Sequence, residues 1–186
     1  MRDDAQLLGA YAHGGDVPSL SELVVRHERW LLAYLRGLVP NAADAEDSFQ
    51  ETWMRVIRSC GSYRGGSVRA YLVRIARSVV IDRFRRAGAP AVSLDAADES
   101  GGSPADGLAD SAPTPDVACV FRAAAEDVRT AVRALPARQR EVLLMRIEGE
   151  LAFREIAELL GVPQGTALTW MHQATLRLKR ILGGEK

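Results

Sequence analysis

Residues 155–166 of the chain read EIAELLGVPQGT, and this stretch decides the fold of the C-terminal part. It predicts a short helix from about Ala152 to Leu160, a glycine-containing turn, and a second helix from Thr166 to Leu182. Ala157 supplies the small residue needed where two such helices cross, and Gly161 tolerates the left-handed backbone of the turn. The pattern is typical of a helix-turn-helix, which places the start of its second helix in the major groove of DNA. An αα-hairpin without a role on DNA remains an alternative.

Apolar residues recur at steps of three and four elsewhere in the chain, which predicts further amphipathic helices. Three lie in the N-terminal part: one over residues 20–38, one from Asn41 or Asp44 to just before Gly61, and one over residues 67–86. Two lie in the C-terminal part: one over residues 124–135 and one that opens at Pro136 and ends at Gly149. No stretch of comparable length alternates with the period of two that marks a strand. The sequence therefore predicts an all-α fold.

Charge divides the 186 residues into three segments, although 24 basic and 24 acidic residues give a net charge of zero. Residues 1–86 hold 13 basic and 10 acidic residues, and residues 122–186 hold 11 and eight, so each segment carries +3. Residues 87–121 carry six acids, no basic residue, and much Gly, Pro, Ser and Ala. A segment of this composition buries too little apolar surface to offset the entropy of ordering. We therefore expect two small helical domains, 1–86 and 122–186, joined by a flexible acidic linker, 87–121.

Several classes of protein are disfavoured by composition. No apolar run approaches the ~20 residues of a membrane-spanning helix, so we expect no membrane insertion. The first residues lack the basic flank and apolar stretch of a secretory signal. Cys60 and Cys119 form no CxxC pair and are too few for a disulfide framework. We read them as free thiols and expect a cytoplasmic protein.

Opposite charges adjoin within the N-terminal domain. Residues 41–51 carry only acidic charges, whereas residues 55–86 carry nine arginines, no lysine and the single acid Asp82. A run of charge is usually a solvated helix face. Arginine without lysine favours phosphate binding instead, because the guanidinium binds phosphate through two parallel hydrogen bonds. The two charge blocks suggest two different partners for one domain.

Catalytic patterns are absent from the sequence. The three histidines are scattered, His27 lies on an apolar stripe and is a predicted core residue, and no phosphate-binding loop is present. Asp44, Asp47 and Glu51 share a helix face and could hold Mg²⁺ in a nuclease. No second acidic group with ligand spacing stands near them, which disfavours that alternative. We expect no enzyme, no cofactor and no metal.

Two sets of motifs resemble extracytoplasmic-function (ECF) RNA polymerase sigma factors. Residues 135–144, LPARQREVLL, together with residues 155–166, resemble region four of that family. Residues 44–52, DAEDSFQET, look like the acidic polymerase-binding motif of region two. Residues 63–66, 71–77 and 81–83 look like the segment that recognises the promoter −10 element. The resemblance covers both domains in the right order.

The resemblance assigns a partner to each charge block of the N-terminal domain. The acidic motif would dock on a basic coiled-coil clamp of core RNA polymerase. The residues at its positions are Asp44, Glu46, Asp47, Gln50 and Glu51. The arginine-rich helix and its preceding loop would bind and melt the −10 element, with Tyr63 meeting a flipped base. The residues implied are Tyr63, Arg64, Ser67, Arg69, Arg74, Arg77, Ser78, Arg83, Arg85 and Arg86. Ser78 stands where the family usually has Asn, so the sequence preference could differ.

The last helix departs from the family pattern. The residues implied in −35 recognition are Arg154, Thr166, Thr169, Trp170, His172, Gln173 and Arg177. Positions that are usually basic hold Leu168, Trp170, Gln173 and Thr175 here, which predicts weak or altered −35 binding because phosphate contacts dominate affinity. Ala152 replaces a common capping Ser, at a cost of about 1 kcal/mol.

The sequence is identified as a member of the ECF sigma factors, which implies promoter-specific initiation of transcription. Its implied partners are core RNA polymerase, promoter DNA and an anti-sigma factor. Three alternatives remain: a helix-turn-helix regulator that works without polymerase, a sigma-like interaction protein that does not read a standard −35 element, and the Mg²⁺-dependent nuclease.

Overall fold

The computed structural model describes residues 2–87 and 126–183, and all regular structure in these ranges is helical. The first range contains α1 (Asp4–Gly14), α2 (Val17–Leu38), α3 (Ala42–Ser59), a 3₁₀ turn (Cys60–Ser62) and α4 (Val68–Arg86). The second contains α5 (residues 126–133), α6 (Ala137–Ile147), α7 (Phe153–Leu160) and α8 (Gln164–Leu182). The all-α prediction is confirmed. The predicted linker lies outside the described residues except for Ala87.

Side-chain caps explain where the helices of the first range begin. The Asn41 side chain accepts a hydrogen bond from the backbone N–H of Asp44 at 2.8 Å, which starts α3. Ser67 accepts a hydrogen bond from the backbone N–H of Ala70 at 3.1 Å, which starts α4. Each cap satisfies an N–H that the first helical turn leaves without a partner.

The structure adds one helix to the sequence prediction and moves the starts of two others. Helix α2 begins at Val17 instead of residue 20. Helix α1 was not predicted, because its buried residues Leu7 and Leu8 are too few to give a helical periodicity. Helix α8 begins at Gln164 instead of Thr166, because Pro163 immediately precedes it and its fixed φ suits a helix start.

The core of the first range forms where α2, α3 and α4 pack together and α1 covers α2. Leu31, Leu35 and Leu72 are completely buried in it. The aromatic residues Trp53 of α3 and Tyr71 of α4 are 6% and 5% exposed and belong to the core. None of the described helices is long and apolar enough to cross a bilayer.

His27 is a core residue, as predicted, and it connects α2 to α1. Its Nδ1 accepts a hydrogen bond from the indole N–H of Trp30 at 2.8 Å, and its Nε2 lies 2.9 Å from the Asp4 carboxylate. Burial lowers the pKa of His27, and the charge of Asp4 offsets this only in part. The ring is therefore neutral near pH 7, with its remaining proton directed at Asp4.

Acidification is expected to destabilise the N-terminal domain through His27. Because the folded pKa lies below the unfolded value of about 6.5, the unfolded chain binds the proton more readily, and stability falls as pH falls below about 6.5. Urea unfolding at pH 7.5 and 5.5 measures this loss. The His27→Gln variant should lose less stability over the same interval. An equal loss in the variant would contradict the assignment to His27.

The two halves of the chain also pack against each other. Helices α2 and α4 contact α6 and α7, so that Met145 and Ile156 join the same hydrophobic core as Leu31. Gly37 on α2 permits the closest approach, since a Cβ built there would lie 2.6 Å from the methyl carbons of Leu144 on α6. The sequence did not predict this arrangement.

Candidate polymerase and nucleic-acid interfaces

Helix α3 carries the five residues assigned to polymerase binding: Asp44, Glu46, Asp47, Gln50 and Glu51. The side chains of Glu46 and Asp47 are 60% and 66% exposed, whereas that of Asp44 is 23% exposed. Arg36 and Glu46 form an ion pair with 3.8 Å between Nη2 and Oε1. Because both side chains are exposed, the pair is weak and the Glu46 carboxylate stays accessible. Glu46 and Asp47 therefore offer the most accessible negative charge on α3.

Arginines of the same domain pair with the other carboxylates of α3. Arg83 on α4 forms ion pairs with both Asp44 and Asp47, the second with 3.5 Å between Nη1 and Oδ2. Arg55 donates to Glu51 at 2.9 Å, and this hydrogen bond lowers the pKa of the Glu51 carboxyl. Arg83, which the sequence assigned to DNA, is thus engaged with α3.

Two arginines of α3 escaped the sequence assignment. Arg55 connects α3 to α4, because it also donates to Asp82 at 2.7 Å and to Ser78 at 3.2 Å. Arg58 lies with Arg74 in a groove of about 400 Å³ between the two helices. The four-residue spacing between Glu51 and Arg55 could have indicated their ion pair. The arginine-rich run that includes Arg58 could have indicated that Arg58 belongs to the same basic surface.

Apart from Arg83, the arginines of α4 that were assigned to the −10 element fall into two groups. Arg74, Arg85 and Arg86 are exposed, as is Ser78. Arg69 and Arg77 instead face the C-terminal half: Arg69 lies 2.9 Å from Glu150, and Arg77 Nε donates to Glu141 at 2.6 Å. Only the first group is open to DNA in this arrangement.

In the loop before α4, Tyr63 makes a hydrogen bond and a ring contact. Its hydroxyl donates to the carbonyl of Gly66 at 2.6 Å, and its ring meets Tyr71 edge to face with centroids 5.4 Å apart. Gly65 and Gly66 both have φ of +94°, a conformation that side chains disfavour. Arg64 is exposed and donates to the carbonyl of Gly61. The half-buried Tyr63 ring therefore borders the loop surface with its hydroxyl hydrogen-bonded, and Ser67 serves as the cap of α4.

The helix-turn-helix has the predicted crossing and turn. Ala157 is 5% exposed where α7 meets its neighbours, and Gly161 has φ of +65°. Ala152 lacks a capping side chain, but its N–H donates to the Glu155 carboxylate at 2.8 Å. This bond satisfies one of the backbone donors at the start of α7.

The exposed face of α8 is mostly polar and uncharged before Arg177. Thr169, His172 and Gln173 are exposed there, and Thr166 is half-buried. Trp170 is half-buried, with the Arg138 guanidinium 5.7 Å from its ring centroid, so it packs on α6. Arg154, on α7, is exposed and pairs with Glu158 at 3.2 Å. Each of these residues reaches the surface at the helix-turn-helix, but their basic charge is sparse.

Comparison with known proteins finds a matching family for each half of the chain. The sequence-family model of Sigma-70 region 2 matches residues 23–89, and that of Sigma-70, region 4 matches residues 125–178. The chain is 31% identical to the ECF RNA polymerase sigma factor SigM of Mycobacterium tuberculosis strain H37Rv, over 98% of this chain and 86% of that protein. The chain belongs to the ECF sigma factor family. It is a sigma factor that directs transcription initiation at promoters.

A further relative agrees with this family, and two solved structures share the fold. The chain is 32% identical to the sigma factor SigE of Mycolicibacterium smegmatis over 89% of this chain, although it spans only 62% of that protein. CnrH, solved in complex with the cytosolic domain of CnrY, aligns with a TM-score of 0.69 at 21% identity, over 99% of this chain and 100% of that chain. RpoE of Bartonella quintana, solved with the anti-sigma factor NepR, aligns with a TM-score of 0.66 at 22% identity, over 90% and 98%. These two structures support the fold.

The acidic cluster of α3 does not extend into a metal site. Within residues 2–87 and 126–183, no three His, Cys, Asp or Glu side chains are grouped so that they could hold a metal ion. Asp44 and Asp47 are instead paired with Arg83.

Proposed function

We propose that this sigma factor binds core RNA polymerase through α3, binds and melts the −10 element with α4 and its preceding loop, and contacts −35 DNA with α8. The observation that carries the proposal is the division of charge between neighbouring helices. The most exposed acids, Glu46 and Asp47, lie on α3, whereas α4 exposes Arg74, Arg85 and Arg86. One domain can thereby bind a basic protein surface through α3 and a nucleic acid through α4 at the same time.

This division corresponds to a functional unit at 1–86, a linker at 87–121 and a second unit at 122–186. The chain acts as a specificity subunit without catalytic chemistry of its own, and the polymerase supplies the nucleotidyl transfer. It works in the cytoplasm, where core polymerase and DNA are present.

The exposed arginines of α4 hold the phosphates of the −10 element. Opening the duplex unstacks bases, at a cost of a few kcal/mol per step. Basic and aromatic side chains recover this cost by holding the freed strand. Arg64, Arg74, Arg85 and Arg86 supply the positive charge, Arg58 extends it along the groove, and Tyr63 borders the loop where a flipped base is received.

Replacing both Arg85 and Arg86 by Ala is expected to weaken binding to single-stranded DNA without unfolding the protein. Each lost phosphate contact lowers the slope of log affinity against log salt by about 0.7, so the pair should lower it by about 1.4. Fluorescence anisotropy between 50 and 300 mM salt measures the slope. An unchanged slope would exclude both arginines from the DNA interface.

The −35 interface is weak because α8 carries no arginine or lysine before Arg177. Leu168 is 45% exposed on this helix, where an exposed apolar side chain contributes little to phosphate binding. The same feature favours a second candidate function, that of a sigma-like protein whose region four binds protein instead of −35 DNA.

Adding positive charge to α8 distinguishes between these two candidate functions. The double variant Leu168→Arg and Gln173→Lys is expected to raise affinity for duplex DNA about tenfold at low salt, because each new phosphate contact adds about 0.9 to the salt slope. Electrophoretic mobility shift at 50 and 200 mM salt measures the change. No gain in duplex binding would place α8 away from DNA and support the protein-binding function.

An anti-sigma factor is a further partner that we propose for this chain. Its fold matches that of CnrH, which was solved with the cytosolic domain of CnrY, and that of RpoE, which was solved with the anti-sigma factor NepR. Co-purification of the tagged full-length chain from its native host, followed by mass spectrometry, tests for such a regulator.

A further inference from the structure

Arg55 of α3 is paired with two carboxylates, one on its own helix and one on α4. Its Nε donates to Glu51 at 2.9 Å, and its Nη1 donates to Asp82 at 2.7 Å. The side chain is only 27% exposed. Because the two ion pairs use separate nitrogens of a planar group, together they define the orientation of the guanidinium. Arg55 therefore bridges α3 and α4 in one defined geometry.

The same guanidinium also contacts Ser78, an exposed hydroxyl of α4. Arg55 Nη1 donates to Ser78 Oγ at 3.2 Å. Three hydroxyls of α3, those of Ser48, Thr52 and Ser59, donate to the carbonyl four residues earlier at 2.6–2.7 Å. Ser78 donates to no acceptor within residues 2–87 and 126–183, although a serine carries one O–H donor. Its oxygen thus accepts from Arg55, and its O–H is available to a ligand at the surface.

The surroundings of Ser78 favour a ligand that accepts hydrogen bonds. Ser78 lines two neighbouring grooves: one of about 400 Å³, whose lining includes Arg58 and Arg74, and one of about 260 Å³, whose lining includes Arg74 and Arg85. Positive charge on both sides attracts electronegative groups. On a single strand of DNA, these groups are the carbonyl oxygens and ring nitrogens of the bases and the oxygens of the phosphates.

Arg55 itself is poorly placed to bind the strand directly. Its charge is already paired with Glu51 and Asp82, and a phosphate would have to displace one of these carboxylates from the guanidinium. Arg58 and Arg74, in contrast, are exposed. A hydroxyl that accepts a hydrogen bond from a charged donor becomes a stronger donor in turn. The contact with Ser78 is therefore the route by which Arg55 affects DNA.

We propose that Arg55 is a positioning residue for −10 recognition: it orients the Ser78 hydroxyl so that its O–H donates to an acceptor on the unpaired −10 strand. The proposal rests on the proposed −10 role of α4. Glu51 and Asp82 contribute by setting the orientation of Arg55. Without Arg55, the hydroxyl of Ser78 can rotate and donate to the carbonyl of Arg74 four residues earlier, as the hydroxyls of α3 do, and the donor is lost to DNA.

A double-mutant cycle between Arg55 and Ser78 tests the proposal in the full chain. Anisotropy of the fluorescein-labelled single strands (dA)20, (dC)20 and (dT)20 measures affinity. Ser78→Ala is expected to weaken the best-bound strand about fivefold, which corresponds to one hydrogen bond. Arg55→Met should cost about fivefold alone but less than about twofold when Ser78→Ala is present, because both changes remove the same bond. Equal factors in the two backgrounds would overturn the positioning role.

Arg55→Lys separates orientation from charge. The variant keeps a positive charge between the two carboxylates, but a single ammonium replaces the separate nitrogens that contact Glu51 and Ser78. We expect it to lose affinity about as much as Arg55→Met, again with little further loss in the Ser78→Ala background. Wild-type affinity of Arg55→Lys would show that charge alone matters and would refute the proposal. This variant also provides the cycle if circular dichroism shows that Arg55→Met loses helical content.

Arg26→Met is the matched control for the loss of ion pairs. Arg26 of α2 is 25% exposed and, like Arg55, pairs with a carboxylate four residues earlier, Glu22, and with one on another helix, Asp4. Its removal should leave the affinity for each strand within about twofold of the wild type. A loss as large as that of Arg55→Met would assign the effect to ion pairs in general and contradict the proposal.

An abasic strand of 20 units identifies the acceptor, because it keeps the phosphates without the bases. If the acceptor lies on a base, Ser78→Ala weakens only the strands that carry bases; if it is a phosphate oxygen, the abasic strand loses as much. Wild-type affinity of Ser78→Ala for all four strands would overturn the proposal. The failure of the proposed function looks different: an unchanged salt slope of the Arg85→Ala and Arg86→Ala double variant contradicts the −10 role of α4 itself.

Discussion

Lysine at positions 46 and 47 is expected to lower the affinity of the chain for core RNA polymerase by more than 100-fold. Glu46 and Asp47 are the most exposed carboxylates assigned to this contact. Reversal replaces attraction by like-charge repulsion from a basic clamp, and like charges at an interface cost several kcal/mol. Competition with a fluorescently labelled sigma factor for purified core polymerase measures the loss.

The matched control reverses the same number of charges elsewhere in region two. Glu22 and Glu28 are exposed on α2, and their replacement by Lys should leave polymerase affinity within about threefold of the wild type. Circular dichroism establishes that both double variants keep their helical content. If the two double variants bind polymerase equally, α3 is not the docking helix.

Replacement of Leu72 by Ala is expected to have the largest effect on the stability of region two. Leu72 is completely buried in the core, and truncation of a buried leucine typically costs 2–5 kcal/mol through lost transfer energy and the residual cavity. That loss is a large part of the ~5–15 kcal/mol by which a domain is stable. Because Leu72 anchors α4, binding of −10 DNA should weaken together with stability.

Urea unfolding measures this change against Val25→Ala, which truncates a side chain that is 73% exposed on α2. The control should alter the free energy of unfolding by less than about 0.5 kcal/mol. A Leu72→Ala protein as stable as the control would show that α4 does not pack on this core.

The helix-turn-helix was predictable because its signals are local. Ala157 and Gly161 lie within one short stretch, and each is required by backbone geometry alone: a close helix crossing and a left-handed turn. The Ser67 cap is local in the same sense. Helix α1 escaped because two buried leucines, Leu7 and Leu8, make no periodic pattern.

The contact between the two regions could not be predicted because its partners are distant in sequence. Glu141 and Arg77 are 64 residues apart and each looks like an ordinary surface residue of an amphipathic helix. Gly37 within α2 was the one local signal, since an isolated glycine in a helix often marks a close approach. The same reasoning explains the arginines of α4: their number was evident, but their division into exposed and paired groups depends on where region four lies.

The central claim is that this chain confers promoter specificity on core RNA polymerase. Run-off transcription with purified core polymerase on genomic DNA fragments, with and without the chain, tests it most directly. We predict discrete products that require the chain and that disappear with the Glu46→Lys and Asp47→Lys double variant. Absence of any discrete product, with core polymerase active on a control promoter and its own sigma factor, would contradict the claim.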